Sequence, residues 1–134
     1  MSIKKTIDKL IADERKIAMK RANLEYKVLV EKSLPNLRKA VGKCFKYQNT
    51  YGVSDHCRRW PLYIKIIEIN EENMNFTAVQ FQKTTLDRID IEYRAVHNYK
   101  GENYFNNGYE EISSSEYNRA KKSLLKFVND ALSK

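Results

Sequence analysis

Glycine and proline are scarce in this chain of 134 residues, which holds four of the first and two of the second. The glycines stand singly at 42, 52, 101 and 108, so no Gly-rich loop is present to wrap a phosphate. Their scarcity, with that of proline, also excludes a low-complexity linker. Cysteine is as rare. Cys44 and Cys57 are the only two, and one disulfide in a secreted domain would normally come with an export signal. The opening Met1-Ser2-Ile3-Lys4-Lys5 leads instead into a charged pattern broken by Asp8, Asp13 and Glu14, unlike a signal peptide. Two reduced cytoplasmic thiols are the expectation. No apolar run nears the ~18 residues a membrane helix needs, so no membrane partner is expected.

What is present is charge and aromatic surface. Nine Tyr, five Phe and one Trp argue for a packed core, and the length suits a single domain, 1–134. The net charge of +8 is uneven. Residues 1–42 carry eleven Lys/Arg against five Asp/Glu, 43–112 carry nine against ten, and 113–134 carry five against two. The basic charge belongs to the two ends, so the middle is not a nucleic-acid surface by charge alone.

From Ser2 to Lys32 there is no Gly or Pro and helix formers dominate. Ile3, Ile7, Leu10, Ile17, Leu24 and Val28 recur at spacings of three, four or seven, which predicts one long amphipathic helix of roughly 45 Å. Lys5, Lys9, Lys16, Lys20 and Lys27 fall in a stripe on another side. Glu14, Arg21 and Glu25 sit among the apolar positions, where polar residues can set register in a helical pair. A helix this long outruns the sheet it could flank. It is expected to project or to form a coiled coil with a second copy, a homodimer with Ile7, Leu10, Glu14 and Arg21 in the seam. Pro35 is expected to end or kink the helix, with further turns to Val41 and Gly42 as the stop. Residues 1–41 thus form a helical arm.

After Gly42 the period changes to two. Strands are predicted at 43–48, 62–69, 76–83 and 88–96, with a short fifth at 109–112. Ile89, Ile91 and Tyr93 share one face of the fourth. Residues 97–109, rich in Gly, Asn and Tyr, read as an exposed loop. Ser113 and Glu116 form a capping box for a helix over 114–132, packed through Tyr117, Ala120, Leu124, Phe127, Val128 and Ala131 or Leu132. The class is α+β: a long N-terminal helix, an antiparallel sheet of four to five strands over 43–112, and a C-terminal helix. A small SH3-like barrel and an open sheet both suit the strand spacing.

Chemistry-bearing constellations are thin. Asp55-His56-Cys57 resembles a nucleophile with its base, yet adjacent side chains in an extended loop point apart. Cys44, His56, Cys57 and His97 lack the short ligand spacings of a zinc knuckle. No catalytic residue, metal or cofactor is therefore expected, and the chain is not expected to be an enzyme. Binding has better candidates. Tyr51, Arg58, Arg59 and Trp60 share one loop, and these residue types dominate interface centres; Arg beside aromatics also suits single-stranded nucleic acid. Trp60 would equally serve as a core anchor. Lys9, Lys16, Lys20 and Lys27 could track a phosphate backbone or simply keep an exposed helix soluble.

The run Gly42-Lys-Cys-Phe-Lys-Tyr-Gln-Asn-Thr-Tyr51-Gly52, then Trp60 with Tyr63-Ile-Lys-Ile, then Tyr109-Glu-Glu-Ile-Ser-x-x-Glu-Tyr117, resembles small proteins of phages and mobile elements in Gram-positive bacteria. They share a charged N-terminal helix, a β-rich middle and a final helix. The resemblance implies a non-enzymatic inhibitor of a host defence system, anti-CRISPR-like, that occupies a surface of a host protein or ribonucleoprotein. Inhibitors that mimic DNA are acidic, and this chain is basic, so guide RNA or an acidic patch suits its charge better. A nucleic-acid-binding accessory protein is the alternative.

Overall fold

The structure, a computed structural model, describes residues 2–48, 61–85, 88–99, 104–105 and 108–134. Its contacts gather into two compact units, Met1–Pro35 and Asn36–Lys134. Helix α1 (Ile3–Arg38) supplies all of the secondary structure of the first unit and opens the second. Ser2 caps it: the Lys5 N–H donates to Ser2 Oγ at 3.3 Å, satisfying one of the first-turn amides that lack an intrahelical acceptor.

Pro35 does not end this helix. It lies inside it, and α1 continues to Arg38. An interior proline forfeits one helical hydrogen bond and crowds the preceding turn. The turns that follow recover that loss, since Leu37 and Ala40 are completely buried within the second unit. Residues 39–42 then form a turn rather than further helix. Gly42 takes a φ of +90° there, a conformation open to glycine without a Cβ clash, and its N–H donates to Ile66 O at 2.8 Å.

The sheet comprises β1 (Cys44–Tyr47), β2 (Leu62–Asn70), β3 (Asn75–Thr85), β4 (Arg88–Asn98) and β5 (Tyr109–Ile112). Every pairing is antiparallel and the order is β4-β3-β2-β1-β5. The strands at its two edges, β4 and β5, are not paired with each other, so the sheet is open and the SH3-like barrel is not formed. Asn70 starts the β2–β3 turn by accepting the Asn73 N–H on its side-chain oxygen at 3.1 Å, a local side-chain-to-backbone bond that favours Asn in turns.

Directly paired residues share a face, and the register sorts the core accordingly. One face carries Phe45, Ile64, Ile66, Phe76 and Ala78, all buried. The other carries Cys44, Tyr63, Phe81 and Ile112, and against it lies α2 (Ser114–Leu132) through Tyr117, Ala120 and Leu124. The α2 cap is Ser113, which accepts the Glu116 N–H at 3.1 Å. The Glu116 carboxylate reaches Lys46 Nζ on β1 at 3.3 Å, so this residue ties the helix start to the sheet. Phe127 and Val128 are half-buried, whereas Ala131 and Leu132, at the helix end, are both exposed.

Candidate interaction surface

In α1, every residue from Ser2 to Leu29 is exposed. A helix that packs by one face normally hides an apolar stripe at least 100° wide. Here that stripe, Ile3, Ile7, Leu10, Ile17, Leu24 and Val28, is 50–80% exposed. Glu14 and Arg21 lie among these residues, also exposed, and the Arg21 Nε–H donates to Glu25 Oε1 at 3.1 Å within the helix. Lys9, Lys16, Lys20 and Lys27 are exposed as well. The first unit thus presents an apolar line and a basic line, both open to a partner.

The second unit has two further features that pattern reading missed. Residues 97–109 are not a solvated loop where they are described. His97 is the penultimate residue of β4, and Tyr99 is buried. Tyr104 and Phe105 fold onto the sheet: Phe105 stacks on Tyr109 at 4.4 Å and meets Phe45 and Phe76 edge-on at 5.1 and 5.2 Å. Tyr47 stacks on Tyr109 at 4.4 Å. A cleft of about 380 Å³ opens beside this cluster, lined by Asn36, Lys43, Phe45, Tyr104, Tyr109 and Glu111 among others. Among the described residues its two charges face each other, Lys43 Nζ to Glu111 Oε1 at 3.6 Å. The Tyr104 hydroxyl donates to Asn36 O, and burial raises both the Tyr104 and the Tyr109 phenols above their usual range. Among the described residues the cleft offers hydrogen-bond groups and aromatic walls.

On the same face, Gln80 bridges His97 and Glu92. His97 Nε2 lies 3.0 Å from Gln80 Oε1, and Gln80 Nε2 donates to Glu92 Oε2 at 3.1 Å. Phe76 stacks on the imidazole, and burial lowers its pKa, opposed by Glu92. The Gln80 amide thus fixes one nitrogen of the imidazole between two strands. Cys44 is buried on the opposite face, its thiol 3.6 Å from Gly42 O and its pKa raised by burial. Desolvation of that kind makes a thiol unreactive. Because the sheet stands between them, Cys44 and His97 cannot share a metal ion. Among the described residues no group of three or more His, Cys, Asp or Glu could hold one.

Beyond the reach of α2, the face shared by Thr77 and Phe81 is open at the sheet edge. Ile91, Tyr93 and Val96 of β4 are each more than 60% exposed there. The expected shared face of Ile89, Ile91 and Tyr93 therefore exists, but for Ile91 and Tyr93 it meets solvent. Periodicity marks which residues share a face and not whether anything covers it.

Tyr51, Arg58, Arg59 and Trp60, together with Asp55, His56 and Cys57, lie outside the described residues. Among the described residues no helix is long and apolar enough to cross a membrane. Comparison of the chain with protein-family models, with curated proteins and with solved structures finds no match.

Proposed function

We propose that this protein works by contact and not by catalysis, occupying the surface of another macromolecule. The observation that carries the reading is α1, whose first 27 residues, 3–29, expose an apolar line and a lysine line together. Leaving several large apolar side chains in water forgoes about 1.5–3 kcal/mol for each one that a partner could bury. Exposed apolar stretches of this extent mark interaction sites. The lysine line selects an acidic surface, of protein or of ribonucleoprotein. The resemblance to phage and mobile-element proteins adds the class of partner: a component of a host defence system, inhibited by being covered, in the anti-CRISPR manner. Tyr51, Arg58, Arg59 and Trp60 are a second proposed contact, on residue type alone.

Capture from bacterial host lysate with and without nuclease treatment tests this. A protein partner retained after nuclease, and lost when Lys9, Lys16 and Lys27 are changed to Glu, supports the reading. Loss of all capture on nuclease treatment favours the alternative, direct binding of nucleic acid along the lysine line; the affinity would then fall steeply with salt. No specific capture in either arm rejects both.

A further inference from the structure

We infer that α1 is one half of a two-stranded antiparallel coiled coil, completed by α1 of a second copy of this chain. In this pair the second copy covers the apolar line, and the lysine line at Lys9 and Lys16 is left for the partner of the proposed function. It begins with spacing. Ile3, Ile7, Leu10, Glu14, Ile17, Arg21, Leu24, Val28 and Glu31 follow one another at alternating intervals of four and three without a break. That is a heptad repeat, with Ile7, Glu14, Arg21 and Val28 at a and Ile3, Leu10, Ile17, Leu24 and Glu31 at d. A sustained 3.5-residue period is the requirement of a left-handed supercoil, not of a helix lying on a globule.

Surface shape supports the same reading. Two shallow depressions lie along α1. One has Ile17, Lys20, Arg21 and Leu24 in its lining, the d-g-a-d quartet that receives a knob from a facing helix. The other has Glu14, Ile17, Ala18 and Arg21, the a-d-e-a quartet. Both of the quartets a two-stranded coil uses are therefore present and exposed on the same stretch of helix.

Charge then chooses the occupant and its direction. In a parallel pair, a faces a, so Glu14 would meet Glu14 and Arg21 would meet Arg21 of the second copy, while Lys27 would flank Lys32. Each is a like-charge contact in or beside the seam. In an antiparallel pair, a faces d. With Ile7 opposite Leu24 of the second copy, Ile3 meets Val28, Leu10 meets the aliphatic stem of Arg21, and Glu14 meets Ile17. The Leu10 side chain fills the first quartet. Flanking positions then pair Asp13 with Lys20 and Lys4 with Glu25, each twice by symmetry, and no flanking pair is of like charge. Sliding the second copy by one heptad sets Lys20 against Lys20 and Lys4 against Lys32. The two-fold pairing is self-complementary in one register, as an isologous interface must be.

Light scattering and sedimentation equilibrium on the full chain, in buffer without nucleic acid, test the proposal. The wild-type protein is expected to sediment as a dimer at micromolar concentration. Asp13→Lys and Lys20→Asp should each weaken the dimer about tenfold, as two flanking charge pairs become repulsive. The combined variant should return to near the wild-type constant. Asp13 and Lys20 are two helical turns apart and cannot touch within one helix, so rescue requires a second copy. Ile7→Asp with Leu10→Asp should give a monomer with the β-sheet circular dichroism signal unchanged. A monomeric mass for the wild type overturns the proposal. So does a combined variant as weak as Lys20→Asp alone, the result of a parallel pair, in which Asp13 faces Ala18. Capture of a host partner is read separately, through Lys9 and Lys16, which lie outside the seam whether or not the apolar line is covered.

Discussion

His97 Nε2 lies 3.0 Å from Gln80 Oε1, seventeen residues away in sequence and on the neighbouring strand. Gln80 gives its amide N–H to Glu92, which leaves its oxygen to accept from His97 and assigns the ring proton to Nε2. Burial holds the His97 pKa below its ordinary value. The unfolded chain therefore binds a proton at higher pH than the folded one. The associated stability is fully present above the unfolded value of about 6.5 and is lost as pH falls through that value toward the lower folded one. Thermal unfolding followed between about pH 7.5 and pH 5 should show a falling midpoint. His97→Gln should flatten this component of the profile, and an unchanged slope would place its origin elsewhere.

Gly108 sits at φ +105°, directly before β5, and a Cβ there would come within 2.8 Å of Tyr47 Cε2. The stack of Tyr47 on Tyr109 holds that ring in place. Gly108→Ala is expected to cost about 1–3 kcal/mol from the backbone conformation and the displaced ring. Denaturant unfolding measures it. Tyr47→Ala in the same background should relieve the steric part and leave the conformational part.

Ser113 Oγ accepts the Glu116 N–H at the start of α2. Ser113→Ala should lower stability by about 1 kcal/mol, whereas Ser113→Asp should retain the cap. Glu116→Gln keeps the backbone donor but removes the charge partner of Lys46, whose pKa is raised chiefly by its hydrogen bond to Glu116. Both groups are partly exposed, so a loss under about 1 kcal/mol is expected for that change.

Pro35 is exposed and occupies a helical position with no N–H to donate. Pro35→Ala restores the missing bond to the carbonyl one turn earlier. It should raise stability by about 1–3 kcal/mol and increase the helical circular dichroism signal. A destabilised Pro35→Ala protein would mean that the helix does not run through this position in solution.

Much of the fold was legible from local pattern. The shift from a period near 3.6 to a period of two after Gly42 locates the boundary between helix and sheet, and Ser113 with Glu116 starts α2 at the residue where it begins. All five strands fall where alternation and turn residues put them, because each of these signals acts over a few neighbouring residues. The heptad of α1 is equally a property of the sequence: side-chain spacing on a helix is set by backbone geometry alone.

What local pattern could not decide was whatever depends on residues far apart in the chain. Pro35 carries a local penalty, and the helix passes it because Leu37 and Ala40, beyond it, are completely buried. Tyr99, Tyr104 and Phe105 look like solvated loop residues, since no periodicity marks a segment that packs without regular structure; the apolar sheet face beneath them gives those rings their place. Barrel or open sheet was a question of whether β4 and β5 pair, and pairing between strands at opposite ends of the order is set by the twist and register of all five. The same holds for Gln80 beside His97, and for Cys44 on the far side of the sheet from it. Spacing determined which side chains share a face; only the tertiary structure decided what, if anything, lies against that face, because burial is a property of the assembled surfaces and not of the chain that supplies them.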